Sequence, residues 1–176
     1  MLIGVISDTH DHVERMEKAF EIVAERGVGM VCHLGDWVAP DMLNLAEKLA
    51  KDIAVPMKSV LGNNDKEVFD IIQSGGNRWD MEIGLQEMFF TADNMRIALY
   101  HGTDANITKE IIDSDKFNAV FTGHSHQPRI ETARNTLWLN PGTVSGIKPG
   151  GRKVNTGELA VYDTLANTAQ LIDFEV

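Results

Sequence analysis

Asp8 and His10 stand one residue apart in the triplet Asp8-Thr9-His10, so one carboxylate oxygen and one imidazole nitrogen can reach the same cation. Taken alone, the triplet reads at least as well as a turn followed by a helix cap. The same kinds of donor return in Gly35-Asp36, Gly62-Asn63-Asn64-Asp65, His101-Gly102 and Gly123-His124-Ser125-His126. Asp8, His10, Asp36, Asn63, His101, His124 and His126 together offer borderline nitrogen and hard oxygen, with no thiolate. That set suits a catalytic centre of divalent transition metals, Mn2+ first and Ni2+, Zn2+, Fe2+ or Co2+ as alternatives, better than a structural zinc knot. Seven ligands are too many for one ion. Two ions about 3.5–4 Å apart, bridged by one carboxylate, would use them all and clamp both oxygens of an in-line displacement.

Such a cluster needs a scaffold that brings distant segments to one edge. Leu2 to Ile6 is an apolar run that reads as a buried strand, and Asp8 leaves from its carboxyl end, where open α/β sheets place ligand chemistry. An amphipathic helix follows from Asp11 to Arg26, with Val13, Met16, Phe20, Ile22 and Val23 inward and the Glu14 to Lys18 charges on a solvated face. Val28 to Leu34 is a second strand, and Pro40 to about Lys51 a second helix. Ile53 to Leu61 is a third strand interrupted by Pro56, and Lys66 to Gln73 a third helix. Ser74 to Asn77 is a loop, and Arg78 to Gly84 is ambiguous between a short strand and irregular chain.

Leu85 to Thr91 and Met95 to Tyr100 form a hairpin across Ala92-Asp93-Asn94, with a helix from Ile107 to Ser114 and a strand from Phe117 to Thr122 beyond it. Arg129 to Ala133, Leu137 to Leu139, Glu158 to Asp163 and Ala169 to Phe174 are further strands. A βα-rich first half before a strand-rich second half predicts an α/β fold of two mixed sheets packed together with helices outside, a four-layer αββα sandwich. All seven candidate ligands then follow strands, and glycines flank four of them where the backbone turns sharply.

The chain has 176 residues, of which 43% are hydrophobic, enough to bury one sizeable core, so one domain over 1–176 is expected. A formal charge of −10 argues against general nucleic-acid or acidic-membrane binding. The lone Cys32 has no intramolecular partner, no signal-peptide pattern opens the chain, and no apolar run approaches a membrane span. A soluble, cytoplasmic protein is the expectation.

In order, the five blocks resemble those of the calcineurin-like metallophosphoesterases, and most closely the small single-domain branch of YfcE-type phosphodiesterases. Asn140-Pro141-Gly142-Thr143 is similar to the Asn-Pro-Gly-Ser segment of that branch. The resemblance covers nearly the whole chain and implies the metallo-dependent phosphatase αββα fold. It also implies that Asp8, His10, Asp36 and His126 hold one metal, that Asp36, Asn63, His101 and His124 hold the other, and that Asp36 bridges. Two positions depart from the pattern: Asn64 stands where monoester-cleaving relatives carry a histidine, and Thr103 where the small branch often has one. The proton donor that this resemblance implies is therefore missing, which bears on leaving-group protonation and substrate choice.

The expected function is a phosphodiesterase. A phosphodiester is anionic and repels hydroxide, so two cations are needed both to neutralise it and to supply a nucleophile. Coordination lowers the pKa of water from about 15.7 to about 7, so a bridging hydroxide would attack directly, with no covalent phosphoenzyme. Asp36 and Asn64 are the expected catalytic residues, and Asn64 and Thr103 the contacts to a small phosphodiester or nucleotide-like substrate. Arg129, Lys148, Arg152 and Lys153 are candidates for phosphate contacts. Two rivals are a metal-free interaction scaffold, which has no need of seven ligands, and a nucleotide pyrophosphatase or nuclease sharing the chemistry. Several residues read more plainly: His33 as a packed histidine or one that supports the ligands, Cys32 as a buried apolar group, His12 as an exposed helix start. Asp65 is balanced between helix cap and site partner, and Trp37 reads first as core packing and second as a pocket floor. A homodimer through the outer edge of the strand-rich half completes the expectations.

Overall fold

The computed structural model describes residues 1–176. In chain order the strands and α-helices are β1 (Leu2–Ile6), α1 (Val13–Glu25), β2 (Met30–His33), α2 (Pro40–Asp52), β3 (Met57–Val60), α3 (Lys66–Gln73), β4 (Glu82–Gly84), β5 (Glu87–Ala92), β6 (Met95–Tyr100) and α4 (Ala105–Asp113). There follow β7 (Ala119–Phe121), β8 (Arg129–Ala133), β9 (Thr136–Asn140), β10 (Ile147–Lys148), β11 (Arg152–Lys153), β12 (Thr156–Asp163) and β13 (Thr168–Glu175). One sheet runs β13-β12-β1-β2-β3-β4, the other β5-β6-β7-β9-β8, and β10 and β11 make a separate ribbon.

The period-two alternation of β1 explains the layering. Ile3 and Val5 point between the sheets, into a cluster with Leu34, Leu99, Phe121, Leu139 and Tyr162. Leu2 and Ile6 point the other way, toward Met16, Phe20 and Val23 of α1 and Leu43 of α2. Gly4 shares that face because a Cβ there would come within 2.8 Å of the Val23 side chain, so the glycine lets the helix seat closely. On the second sheet's outer face Ala98 and Val120 pack with Ile112 of α4 in a smaller cluster. Helices on both outer faces make the expected αββα sandwich, in which each fully buried aliphatic side chain contributes about 1.5–3 kcal/mol. β1, β2, β3 and β4 pair in parallel, as do β6, β7 and β9. No helix is long and apolar enough to cross a membrane.

Several expectations are corrected. The strand assigned to Ile53–Leu61 begins only at Met57, because Ile53 to Val55 close the end of α2. Ala54 takes a left-handed φ of 55°, its N–H bonds Lys51 O at 3.1 Å, and Val55 N–H bonds Ala50 O at 3.0 Å. Gly27 and Gly75 end α1 and α3 by the same double bond, and the absence of glycine hid the stop of α2. Arg78–Gly84 resolves into irregular chain before β4, which pairs with β3 and is tied by the Lys58–Glu82 ion pair at 2.6 Å. The hairpin turn is Asp93-Asn94, both at positive φ, the two-residue form that matches strand twist. α4 starts two residues earlier than expected, because the Asp104 side chain caps it through Asn106 N at 2.7 Å.

The face of α1 is also corrected. Val13 is 48% exposed, whereas Arg15, assigned to solvent, is buried and donates to Val154 O at 2.8 Å. The arginine leans under the β10–β11 ribbon, a tertiary contact that helical periodicity does not encode.

Ala54→Gly should raise the unfolding free energy by about 1 kcal/mol, since glycine accepts the left-handed position without the Cβ clash. Urea denaturation checks this; an unchanged or lower midpoint at constant slope would contradict it.

Candidate metal centre

Five parallel strand ends, three from the first sheet and two from the second, deliver the polar cluster. Asp8 leaves β1, Asp36 follows β2 and Asn63 follows β3, while His101 follows β6 and His124 and His126 follow β7. Asp8, His10, Asp36 and His126 offer ligand atoms lying within 4.8 Å of one another, and so do Asp36, His101 and His124. Asp36 belongs to both groups. Asn63 joins the second, its Oδ1 3.2 Å from His101 Nε2.

The backbone gives the donors their aim at a conformational cost. Asp8, His10, Asp36, His124 and His126 all sit at left-handed φ between 43° and 63°. For a non-glycine residue this costs roughly 1–2 kcal/mol, less for Asp and His than for branched side chains. The flanking glycines serve two purposes. Gly35 and Gly102 supply φ values of 97° and 102°, which side-chain-bearing residues rarely adopt. Gly62 and Gly123 supply space: a Cβ on Gly62 would crowd Asp36 and lie 2.9 Å from His101, and one on Gly123 would lie 2.8 Å from Asp8 Oδ2.

Asp8 and Asp36 are almost fully buried. Asp8 accepts from Ser7 Oγ at 2.5 Å and His124 N at 3.1 Å; Asp36 accepts from Asn64 N at 2.9 Å and Asn64 Nδ2 at 2.7 Å. Burial pushes the Asp36 pKa up, but His101 and the Asn64 donors outweigh it and hold the carboxyl well below the usual range. Burial likewise lowers the His101 and His126 pKa values, and the carboxylate partners Asp36 and Asp8 reverse that into a net rise. His124 lacks a direct carboxylate bond, and burial lowers its pKa.

The histidines are oriented from behind. His101 Nδ1 bonds Leu34 O at 2.7 Å and His126 Nδ1 bonds Ile147 O, so the Nδ1 proton is fixed and each Nε2 lone pair faces inward. His126 Nε2 then stands 3.3 Å from His10 Nε2 and 3.1 Å from Asp8 Oδ1, while His10 Nε2 is 3.6 Å from Asp36 Oδ2. Lone pairs and carboxylate oxygens converging on one another repel unless positive charge lies between them, so the donor set fits divalent cations.

Other residues fall into place around the cluster. The Asp65 side chain does not cap α3; it accepts the N–H groups of Asp36 at 2.9 Å, Val38 at 2.9 Å and Gly62 at 2.7 Å, locking two ligand loops together. His33 is buried against Thr9 and stacked on Trp37 at 3.4 Å, and burial holds it well below its usual pKa. Trp37 is core, with Nε1–H on Ser59 Oγ at 3.1 Å, and the Cys32 thiol is buried with its pKa pushed up to about 12. His12 is half-buried at the start of α1. Thr103 lies exposed between β6 and α4, with no hydrogen bond to the cluster. Lys148 is spent on Glu158 and Arg129 on Glu131 and Trp138, whereas Arg152 and Lys153 are exposed on β11.

Sequence reasoning missed the props of the Asp8 loop. Thr143 Oγ1–H and Ser145 N–H donate to Asp8 O at 3.0 and 3.2 Å, and Val144 N–H donates to Ser7 O at 3.0 Å. Asn140 is buried and ties Gly123 O, Ser125 Oγ and Gly142 N. The Asn-Pro-Gly turn after an apolar strand was the available signal for these; for Ser7 it was a serine directly before the aspartate.

Residues 1–165 match the model of the calcineurin-like phosphoesterase superfamily domain. The phosphodiesterase MJ0936 of Methanocaldococcus jannaschii is 29% identical over 155 residues, 85% of this chain and 88% of that protein. A probable metallophosphoesterase of Methanothermobacter thermautotrophicus is 31% identical over 150 residues, 81% of this chain and 77% of that one. A solved structure described as a novel archaeal phosphodiesterase superposes with a TM-score of 0.83 at 26% identity, covering 99% of this chain and 100% of that one.

Asp65→Asn keeps the shape but replaces acceptors with an amide that faces three N–H groups. Stability should fall by about 1–3 kcal/mol in denaturant titrations, against a shift within about 0.5 kcal/mol for exposed Asp70→Asn. Equal effects for the two variants would show that Asp65 does not lock the loops.

Proposed function

The chain belongs to the calcineurin-like phosphoesterase superfamily, and from that premise we propose that it is a dinuclear phosphodiesterase. In this reading Asp8, His10, Asp36 and His126 hold one divalent ion, and Asp36, Asn63, His101 and His124 hold a second. The observation that carries it is the pair of donor groups sharing Asp36. When bound, the ions supply Lewis acidity and an acidified water as nucleophile.

The chain's own residues do the rest. Asp36, kept ionised by His101 and Asn64, balances charge for both sites at once. Ser7 and the His124 amide hold Asp8 in its rotamer, and the backbone carbonyls behind His101 and His126 take the Nδ1 proton of the neutral rings, which leaves Nε2 as the inward nitrogen to meet a cation. Asn64 is exposed beside Asp36, where its side-chain amide can orient a phosphoryl oxygen, and Thr103, exposed two residues after His101, is the second substrate contact in this reading. Manganese is the ion we assign first, because each site would set two oxygen donors beside two imidazoles, with no thiolate. The substrate is a small phosphodiester.

Elemental analysis of purified protein should find about two divalent transition metals per chain, with activity lost to a chelator. Asp36→Asn should drop the stoichiometry below one, while Asn63→Ala retains about one. Metal-free protein with chelator-insensitive activity would refute the dinuclear reading, and equal losses in the two variants would refute the Asp36 bridge.

Substrate preference follows from Asn64. An amide has no titratable proton near neutral pH, and a positioned acid is typically worth about 10²–10⁴-fold in expelling an alkoxide. Aryl diesters should therefore be cleaved faster than alkyl monoesters, and Asn64→His should raise the monoester rate selectively. Steady-state rates on both classes at saturating metal decide; a wild type that prefers alkyl monoesters, or a variant that changes both alike, overturns the argument.

A further inference from the structure

A groove of about 460 Å³ lies on the outer face of the second sheet, between α4 and edge strand β8, where no helix covers β9. None of the seven candidate ligands lines it, yet it begins beside them. Gly102, next to His101, and Gly123, next to His124, form one end. A Cβ on Gly102 would lie 3.6 Å from His124 Cβ, so the groove and the cluster adjoin at Gly102 and Gly123. We propose that this groove receives a flat aromatic ester arm, of nucleoside or aryl type, while the phosphate of the same molecule sits at the Asp36 cluster. The inference rests on the phosphodiesterase reading and specifies its substrate.

Several features point to a flat, uncharged occupant. Trp138 lines the groove, and its Nε1–H is tied to Thr122 Oγ1 at 2.9 Å, so the indole is held still there. Arg129 stacks its guanidinium 4.1 Å from the Trp138 ring, leaving a second planar surface against which another ring can lie. The cations at the mouth are already balanced, Arg129 by Glu131 at 2.6 Å and Lys109 by Asp113, so the groove has no free charge with which to take the phosphate itself. Gln127 offers a side-chain amide with no hydrogen-bond partner, a donor and an acceptor for the edge of a heterocycle. The walls at Ala105, Ile112 and Ala133 are apolar, and the volume falls within the range of about 300–1,000 Å³ usual for small-molecule sites.

Two diesters sharing the p-nitrophenolate leaving group separate the arm from the chemistry: bis(p-nitrophenyl) phosphate, with an aromatic second arm, and methyl p-nitrophenyl phosphate, with nothing to place in the groove. Wild type should favour the bis(p-nitrophenyl) ester in kcat/KM, and Ala105→Trp, which fills the groove from the exposed first turn of α4, should reduce that preference about tenfold. A preference unchanged within about twofold overturns the proposal. In parallel, adenosine monophosphate titrated into the metal-loaded protein should shift the Trp138 indole N–H resonance and leave that of Trp79 in place; a stationary Trp138 resonance overturns it. If neither diester is hydrolysed, the phosphodiesterase reading fails, and the Trp138 resonance alone then decides whether the groove binds an aromatic group.

Discussion

Two carboxylates, Asp8 and Asp36, are buried inside the protein, and the architecture around them follows from the partners they need. An isolated buried carboxylate carries an effective penalty of several kcal/mol, which falls only when donors or cations meet its lone pairs. Backbone amides, hydroxyls and imidazoles from both sheets supply those partners. They can approach so closely because Gly62 and Gly123 have no side chains, and they stay aligned because Asp65, a third buried acid, grips three amides from two loops. The apolar layers hold strand ends in place; the polar partners decide where the loops may go.

The sequence is legible where one periodic signal governs. β1 alternates between two cores and α1 shows helical spacing, so both elements stand close to where pattern alone puts them. The polar blocks are legible for a similar reason, since each is short and sits directly after an apolar strand. What pattern could not show is decided across the chain. Arg15 is buried because the β10–β11 ribbon folds over it, and a helical wheel sees only a charge. α2 ends on an alanine in a glycine's conformation, so the usual stop signal is missing and the third strand looks too long. The role of Asp65 was open because its partners lie on Asp36 and Val38, far along the chain, and only partly on nearby Gly62.

The geometry of the cluster also departs from local preference. Five of its seven residues occupy left-handed backbone, where the flanking glycines alone would have been expected. Asp and His tolerate that region better than most residues, so the types suited to holding a cation are also among those that bear the turn with least strain. Residue chemistry and backbone chemistry agree at these positions, which is why short blocks of one or two residues suffice.

His126 meets Asp8 across 118 positions of the chain. Joining segments so far apart fixes a very large loop, and such closure is slow to find and entropically unfavourable until surrounding structure has formed. The polar clasp therefore comes together after the sheets that carry it. Anything that later fastens it acts like a reversible cross-link between the beginning of the molecule and its final third, slowing unfolding far more than it hastens folding.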